Sequence, residues 1–157
     1  MITKQYTTHY QSPIGTLKIR ATDGGVSDVR FTDEKVKEDN ESHPYLEECI
    51  DQLKEYFFED RMEFNSMVLR YGATDFQMKV WDEVMKVPYG KTITYKELAR
   101  RVGRPGAARA VGTALKSNPL QVLFPCHRVV PSSGDEGEYA GGALRKKWLL
   151  THEGAIA

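Results

Sequence analysis

Residues 94–119 read TYKELARRVGRPGAARAVGTALKSNP, and the fold of the C-terminal half turns on them. Thr94 is placed to cap a helix over Tyr95–Val102, with Glu97 three residues on in capping-box spacing. Gly103 and Pro105 break that helix, and a second one over Gly106–Lys116 stops at Asn118-Pro119. Two short helices across a tight Gly/Pro turn describe a helix-turn-helix. The second is nearly smooth, with Ala107, Ala108, Ala110, Gly112 and Ala114, so that Arg109, Thr113 and Lys116 stand out. Small side chains let a helix approach DNA closely, with Arg109 as its one long probe. They suit equally a helix packed tightly on a neighbour, with Arg109 merely solvated.

Downstream, Pro125-Cys126-His127-Arg128-Val129-Val130 sets a thiol, an imidazole and a guanidinium side by side after the apolar run Val122-Leu123-Phe124. The thiolate is the nucleophilic form of cysteine, and a free thiol of pKa about 8.5 is mostly protonated at neutral pH. A neighbouring base or cation lowers that barrier. The same residues also describe a buried structural cysteine at a strand end. Further on come two turns, Pro131-Ser132-Ser133-Gly134 and Tyr139-Ala140-Gly141-Gly142, and a helix over Ala143–His152 that carries Leu144, Trp148, Leu149 and Leu150 and ends at Glu153-Gly154. Upstream, Phe76, Val80, Trp81, Val84 and Met85 share one face of a helix over Phe76–Val87, with Asp75 as its expected N-cap.

The N-terminal half reads differently. Tyr6–Tyr10 is rich in Thr and Tyr, Leu17–Thr22 alternates apolar and basic residues, and Asp23-Gly24-Gly25 turns the chain into Val26–Thr32. A polar loop over Asp33–His43 leads to Leu46, Cys49, Ile50, Leu53, Tyr56 and Phe57 at helical spacing. This half is a small α+β unit that ends near Phe58, with Glu59–Thr74 as the connection.

The chain of 157 residues has a formal net charge of zero, but the charge is unevenly placed. Residues 1–70 carry 9 Lys and Arg against 14 Asp and Glu; residues 71–157 carry 13 against 8. A neutral chain with a basic half can still bind a polyanion through one face. No stretch is apolar enough to span a membrane, and the N-terminus lacks the pattern of a signal peptide. With only two cysteines, Cys49 on an amphipathic stripe and Cys126 in the motif, a reducing, cytoplasmic setting is expected. His9, His43 and Cys49 lack the short spacing of a zinc ligand pair, so no metal or other cofactor is expected.

Over residues 73–154 the blocks FQMKVW, VPYGKTITYKELA, RPGAARAVGTAL, SNP, PCHRVV, YAGG and LLTHEG occur in one order and spacing. In these the chain resembles the O6-alkylguanine-DNA alkyltransferase family (methylated-DNA–protein-cysteine methyltransferases). The resemblance implies an α+β fold: a small RNase H-like domain over residues 1–66 and a winged-helix (helix-turn-helix) alkyltransferase domain over residues 67–157. It implies single-turnover repair, in which a monomer binds the minor groove of double-stranded DNA containing alkylated bases. The damaged nucleotide rotates into a pocket and its alkyl group passes to Cys126, from O6-alkylguanine and less readily from O4-alkylthymine. By the same resemblance His127 accepts the thiol proton through a water, Glu153 orients His127, Tyr95 donates a proton to the leaving guanine, and Asn118 ties the turn to the active-site segment. Arg109 fills the gap in the base stack, and Ala107, Ala108, Thr94 and Thr113 face DNA. Tyr139, Ala140, Val129, Leu115 and Pro125 line the alkyl pocket. Arg128 is better explained by an ion pair that holds the segment than by catalysis.

The chain departs from the family pattern in places. Gly134-Asp135-Glu136-Gly137-Glu138 puts three acids where an apolar residue and neutral neighbours are usual, Ala140 stands where serine is common, and Leu115 and Gln121 occupy variable positions. Three rival readings fit these residues less well. A non-transferring lesion binder would have replaced Cys126, a helix-turn-helix regulator leaves the Cys/His/Glu set unexplained, and a cysteine hydrolase does not fit adjacent Cys126 and His127.

Overall fold

The structure is a computed structural model, described here for residues 4–36, 40–66, 68–69, 73–133 and 137–157. The chain separates into two compact units, Met1–Tyr71 and Gly72–Ala157. The turn residues Gly134, Asp135 and Glu136 lie outside the described residues.

In the first unit, β1 (Tyr6–Ser12), β2 (Gly15–Thr22) and β3 (Gly25–Thr32) form an antiparallel sheet in sequential order. The alternation read in β2 holds: Leu17, Ile19 and Ala21 are buried, whereas Lys18 and Arg20 are not. A bulge between Arg20 and Ala21 shifts the register ahead of the tight turn to Gly25, whose φ of 141° suits a residue without Cβ. Helix α1 (Pro44–Phe58) buries Leu46, Cys49, Leu53, Tyr56 and Phe57, together with Gln52. Gln52 is there because its amide closes off a loop: its Oε1 accepts from Asn65 N at 3.0 Å. His43 caps α1, its Nδ1 accepting from Tyr45 N, and its Nε2 meets Asp23. His9 Nδ1 meets Asn40, and Cys49 is wholly buried with its thiol pushed up to about 12, mainly by burial.

The second unit runs α2 (Asp75–Val84), β4 (Ile93–Thr94), α3 (Tyr95–Arg101), α4 (Ala108–Lys116), a 3-10 turn (Cys126–Arg128), β5 (Val129–Val130) and α5 (Ala143–His152). The cap of α2 is Thr74 rather than Asp75. Thr74 Oγ1 accepts from Gln77 N at 3.1 Å while Gln77 Oε1 accepts from Thr74 N at 2.9 Å, which is a full capping box. Asp75 instead sits in the first turn, where its charge suits the helix dipole. Thr74→Ala is expected to cost about 1 kcal/mol; an unchanged urea midpoint would show that the cap contributes nothing.

At α3 only half of the expected capping box forms. Thr94 accepts from Glu97 N at 3.0 Å, but the Glu97 carboxylate turns to Arg100 and Arg101. Helix α4 answers the two readings of its small residues by serving both. Val111, Ala114 and Leu115 are buried, and Ala114 O accepts from Trp81 Nε1 of α2 at 3.0 Å, while Arg109, Ala110, Thr113 and Lys116 are exposed. The face expected for α5 is also revised: Leu149 and Leu150 are buried, Leu144 is 86% exposed, and Lys146 is fully buried.

Candidate active site

The segment from Asn118 to Arg128 is built on side-chain hydrogen bonds. Asn118 is 1% exposed; its Oδ1 accepts from Leu120 N at 2.9 Å, and its Nδ2 donates to Leu120 O at 3.3 Å and to Cys126 Sγ at 3.1 Å. An asparagine here both closes the turn after α4 and touches the thiol. Between the two residues Val122 is buried at a φ of 71°, a strained conformation for a β-branched side chain. Cys126 begins a 3-10 turn rather than lying in a strand, so its side chain and that of His127 are not sent to opposite faces as strand geometry would require.

Beneath the thiol lies a buried ionic set. His127 is 0% exposed, and its Nε2 is 2.7 Å from Glu153 Oε2. Arg128 donates from Nε to Glu153 Oε1 at 2.7 Å, from Nη2 to Oε2 at 3.2 Å and from Nη1 to Val87 O at 2.7 Å. Arg128 is thus the structural ion pair expected, in the forked geometry that suits a carboxylate. Burial alone would raise the Glu153 carboxyl, but the hydrogen bonds from His127 and Arg128, with the Arg128 charge, outweigh it and hold the group at about 2. Burial pushes His127 below its usual value against the opposing pull of Glu153, so the ring is neutral at pH 7. With Glu153 ionised, the proton of neutral His127 resides on Nε2. Its Nδ1, buried and without a hydrogen-bond partner among the described residues, then carries a free lone pair. Burial pushes the Cys126 thiol up to about 12, with Asn118 and Lys146 opposing. The resting thiol is therefore protonated, and a base has to take the proton.

Gly90 packs closely against the end of α5. At a φ of 81° its backbone lies so close to the end of α5 that a Cβ would come within 3.1 Å of Glu153 O. Nearby, Tyr89 Oη donates to His152 O at 3.4 Å, and the Arg128 guanidinium sits 5.7 Å from the Tyr89 ring centre.

A cavity of about 480 Å³ opens between α4 and the segment that follows β5. Tyr95, Ala108, Arg109 and Thr113, all expected at the site, are on its wall, as are Gly112, Lys116, Pro131, Gly137 and Glu138. Cys126, Ala107 and Thr94 are not on that wall, nor are the expected pocket residues Tyr139, Ala140, Val129, Leu115 and Pro125. Thr94 is committed to capping α3, and Pro125, Val129, Leu115 and Cys126 are buried. Ala140 is exposed, and the Tyr139 ring stands edge-on to His127 with centres 6.2 Å apart. Tyr95 Oη donates to Glu138 O at 3.3 Å; burial, then the charges of Glu138 and Cys126, push its pKa up.

Sequence reasoning missed two of these positions. Gly137 has a φ of 79°, and a Cβ there would meet Pro131 Cδ at 2.7 Å and Tyr95 Oη at 3.3 Å, so glycine is required for the cavity to have this shape. Lys146 Nζ donates to Val129 O at 2.5 Å and to Glu138 O at 3.0 Å, and lies 5.6 Å from the Tyr95 ring centre. A lysine inside a helix reads as solvated, and nothing local marks this one as the tie between the motif strand and the cavity rim. Among the described residues no helix is long and apolar enough to cross a membrane.

Comparison with known proteins bears on the whole assembly. A family model described as the 6-O-methylguanine DNA methyltransferase DNA-binding domain matches residues 75–155, and one for the ribonuclease-like domain of the same proteins matches residues 5–71. The α+β fold class expected from sequence, RNase H-like then DNA-binding, is thereby borne out. A methylated-DNA–protein-cysteine methyltransferase of Shigella flexneri is 46% identical over 106 residues, which cover 68% of this chain and 62% of that protein. The chain thus matches under two thirds of the length of that relative. A protein of the same name from Mycobacterium tuberculosis is 39% identical over 153 residues, covering 92% of each chain. The crystal structure of the Mycobacterium tuberculosis protein OGT in complex with DNA superposes with a TM-score of 0.84 at 37% identity, covering 96% of this chain and 93% of that one. Motif order, two-unit fold and relatives agree, and the chain belongs to the 6-O-methylguanine DNA methyltransferase family.

Proposed function

We propose that this chain repairs DNA by moving the alkyl group from O6 of an alkylated guanine to Cys126 Sγ in a single turnover. The observation that carries this reading is the buried set around the motif: Asn118 Nδ2 on the thiol, and a His127 whose Nε2 is engaged by Glu153 while Nδ1 is left without a partner. His127 takes the thiol proton at Nδ1, directly or through one water, and Glu153 stabilises the imidazolium that results. The thiolate attacks the alkyl carbon as the bond from carbon to O6 breaks. The electron pair of that bond goes to the guanine, whose developing charge is met by the Tyr95 hydroxyl once it turns from Glu138 O to the base. The S–C bond is a thioether with no leaving path, so each molecule reacts once.

The partner is double-stranded DNA with an alkylated base, approached by a monomer through the minor groove with α4 foremost. Arg109, exposed on α4 and on the cavity wall, takes the place of the extruded nucleotide. Extrusion costs a few kcal/mol, and a stacked guanidinium offsets part of it. Arg109→Ala is accordingly expected to slow transfer from duplex DNA at least about tenfold, a loss of about 1.4 kcal/mol, while leaving reaction with free O6-alkylguanine base nearly unchanged. Equal losses on both substrates would remove Arg109 from this role.

The deciding experiment is intact-protein mass spectrometry after incubation with duplex DNA carrying one O6-methylguanine. One added methyl per protein, mapped to Cys126, supports the reading. Lesion-selective binding with no change in mass would make the chain a damage sensor, and neither binding nor transfer would leave the regulator reading.

A further inference from the structure

Cations on a DNA-facing helix are ordinarily left free for phosphate, yet Lys116 in the last turn of α4 is not. Its Nζ is 2.5 Å from Glu138 Oε2, across the rim of the cavity whose wall both residues share with Arg109 and Thr113. The pair is accessible, with side chains 53% and 75% exposed. Such a pair is weak in water and open to competition from another anion. Glu138 is nevertheless tethered, because its backbone carbonyl accepts from both Lys146 Nζ and Tyr95 Oη, which keeps its carboxylate at the rim. Lys116 also holds the Glu138 carboxyl below its usual range, so the competitor is ionised at neutral pH. The acidic residue that stood out as a misfit in the sequence therefore has a definite partner on the helix offered to DNA.

We propose that Glu138 is an internal competitor for DNA phosphate at Lys116, lowering the affinity of this surface for every duplex, damaged or not. This rests on the DNA-binding reading above. In the free protein the carboxylate occupies the ammonium group, and a backbone phosphate has to displace it. Phosphate contacts carry no base information, so the penalty falls alike on lesion and undamaged DNA. Its benefit is faster release from undamaged sequence during search, since most differences in affinity between related complexes appear in dissociation rates.

The test is fluorescence anisotropy with undamaged and O6-methylguanine duplexes across a range of salt concentrations, using wild type, Glu138→Gln, Lys116→Gln and the double variant. Glu138→Gln is expected to tighten binding to both duplexes about three- to fivefold. It should also steepen the dependence of log Kd on log salt by up to about 0.9, the increment for one added phosphate contact. Placed in the Lys116→Gln background, the same change should gain nothing. Unchanged Kd and slope in Glu138→Gln would overturn the proposal, and so would a gain that persists without Lys116, which would mean general repulsion by the acidic rim. A wild-type protein that binds no duplex would bring down the DNA-binding reading itself, a result distinct from either of these.

Discussion

Cys126→Ala is expected to abolish methyl transfer outright, with no mass gain at any protein excess, while affinity for the damaged duplex stays within a few fold of wild type. The expectation is all-or-none because no second acceptor replaces the thiol. Cys49 is wholly buried in the core of its unit and its thiol is pushed up to about 12, which leaves essentially no thiolate at neutral pH. Neighbouring hydroxyls are no substitute, since Tyr139 is itself pushed up by burial. Removing one sulfur costs little packing, and alanine leaves Asn118 its bonds to Leu120. The fold and the cavity therefore persist, and the variant separates recognition from chemistry. Residual methylation of Cys126→Ala protein, at whatever residue, would defeat the mechanism proposed above.

Arg128→Ala should destabilise the second unit by about 3–5 kcal/mol, because it leaves the buried Glu153 carboxylate without its permanently charged partner. At about 4–8 °C per kcal/mol for a unit of this size, the midpoint falls by more than about 12 °C. Part of the loss is expected to return in Arg128→Ala/Glu153→Gln, which no longer buries an unpaired charge. The pH dependence follows from the same pair. Glu153 is held at about 2 in the folded protein, well below the unfolded carboxyl value of about 4.3. Its stabilising contribution is thus complete above the unfolded value and is lost as pH falls through the folded one. His127 acts in the same direction, starting at higher pH. A buried imidazole lowered by burial must gain a proton on unfolding, which favours the unfolded chain below about pH 6.5. Thermal midpoints between pH 7 and pH 3 should fall steadily in wild type. A flat profile, or an Arg128→Ala midpoint within a few degrees of wild type, would contradict this account of the buried set.

What could be read from the chain were the features whose physics is local. The β2 alternation, the break at Gly103 and Pro105 and the small-residue helix α4 each depend on neighbours within a few residues. The motif around Cys126 was legible as a chemical juxtaposition, and Arg128 as an ion pair, though its grip on Val87 O was not. Features that depend on distant partners were lost or misplaced. Lys146 is buried because the carbonyls of Val129 and Glu138 converge on it, and Leu144 is exposed because α5 turns that lysine inward instead. Glu97 had the spacing of a capping box, but two arginines one turn on offered its carboxylate stronger partners than a backbone N–H. Asp75 and Thr74 are both good capping residues, and only the reciprocal bond with Gln77 decides between them.

Gly90 shows how far the constraint of a reactive centre can extend into residues that perform no chemistry. It touches neither the thiol nor the cavity, yet a single added carbon there would press on the backbone that presents Glu153. A side chain at this position would also be strained by the backbone itself, whose φ of 81° L residues rarely adopt. Substituting this glycine would keep every residue of the PCHRV signature and still force the backbone beside Glu153 to give by a few tenths of an ångström, a change that motif reading alone would not register.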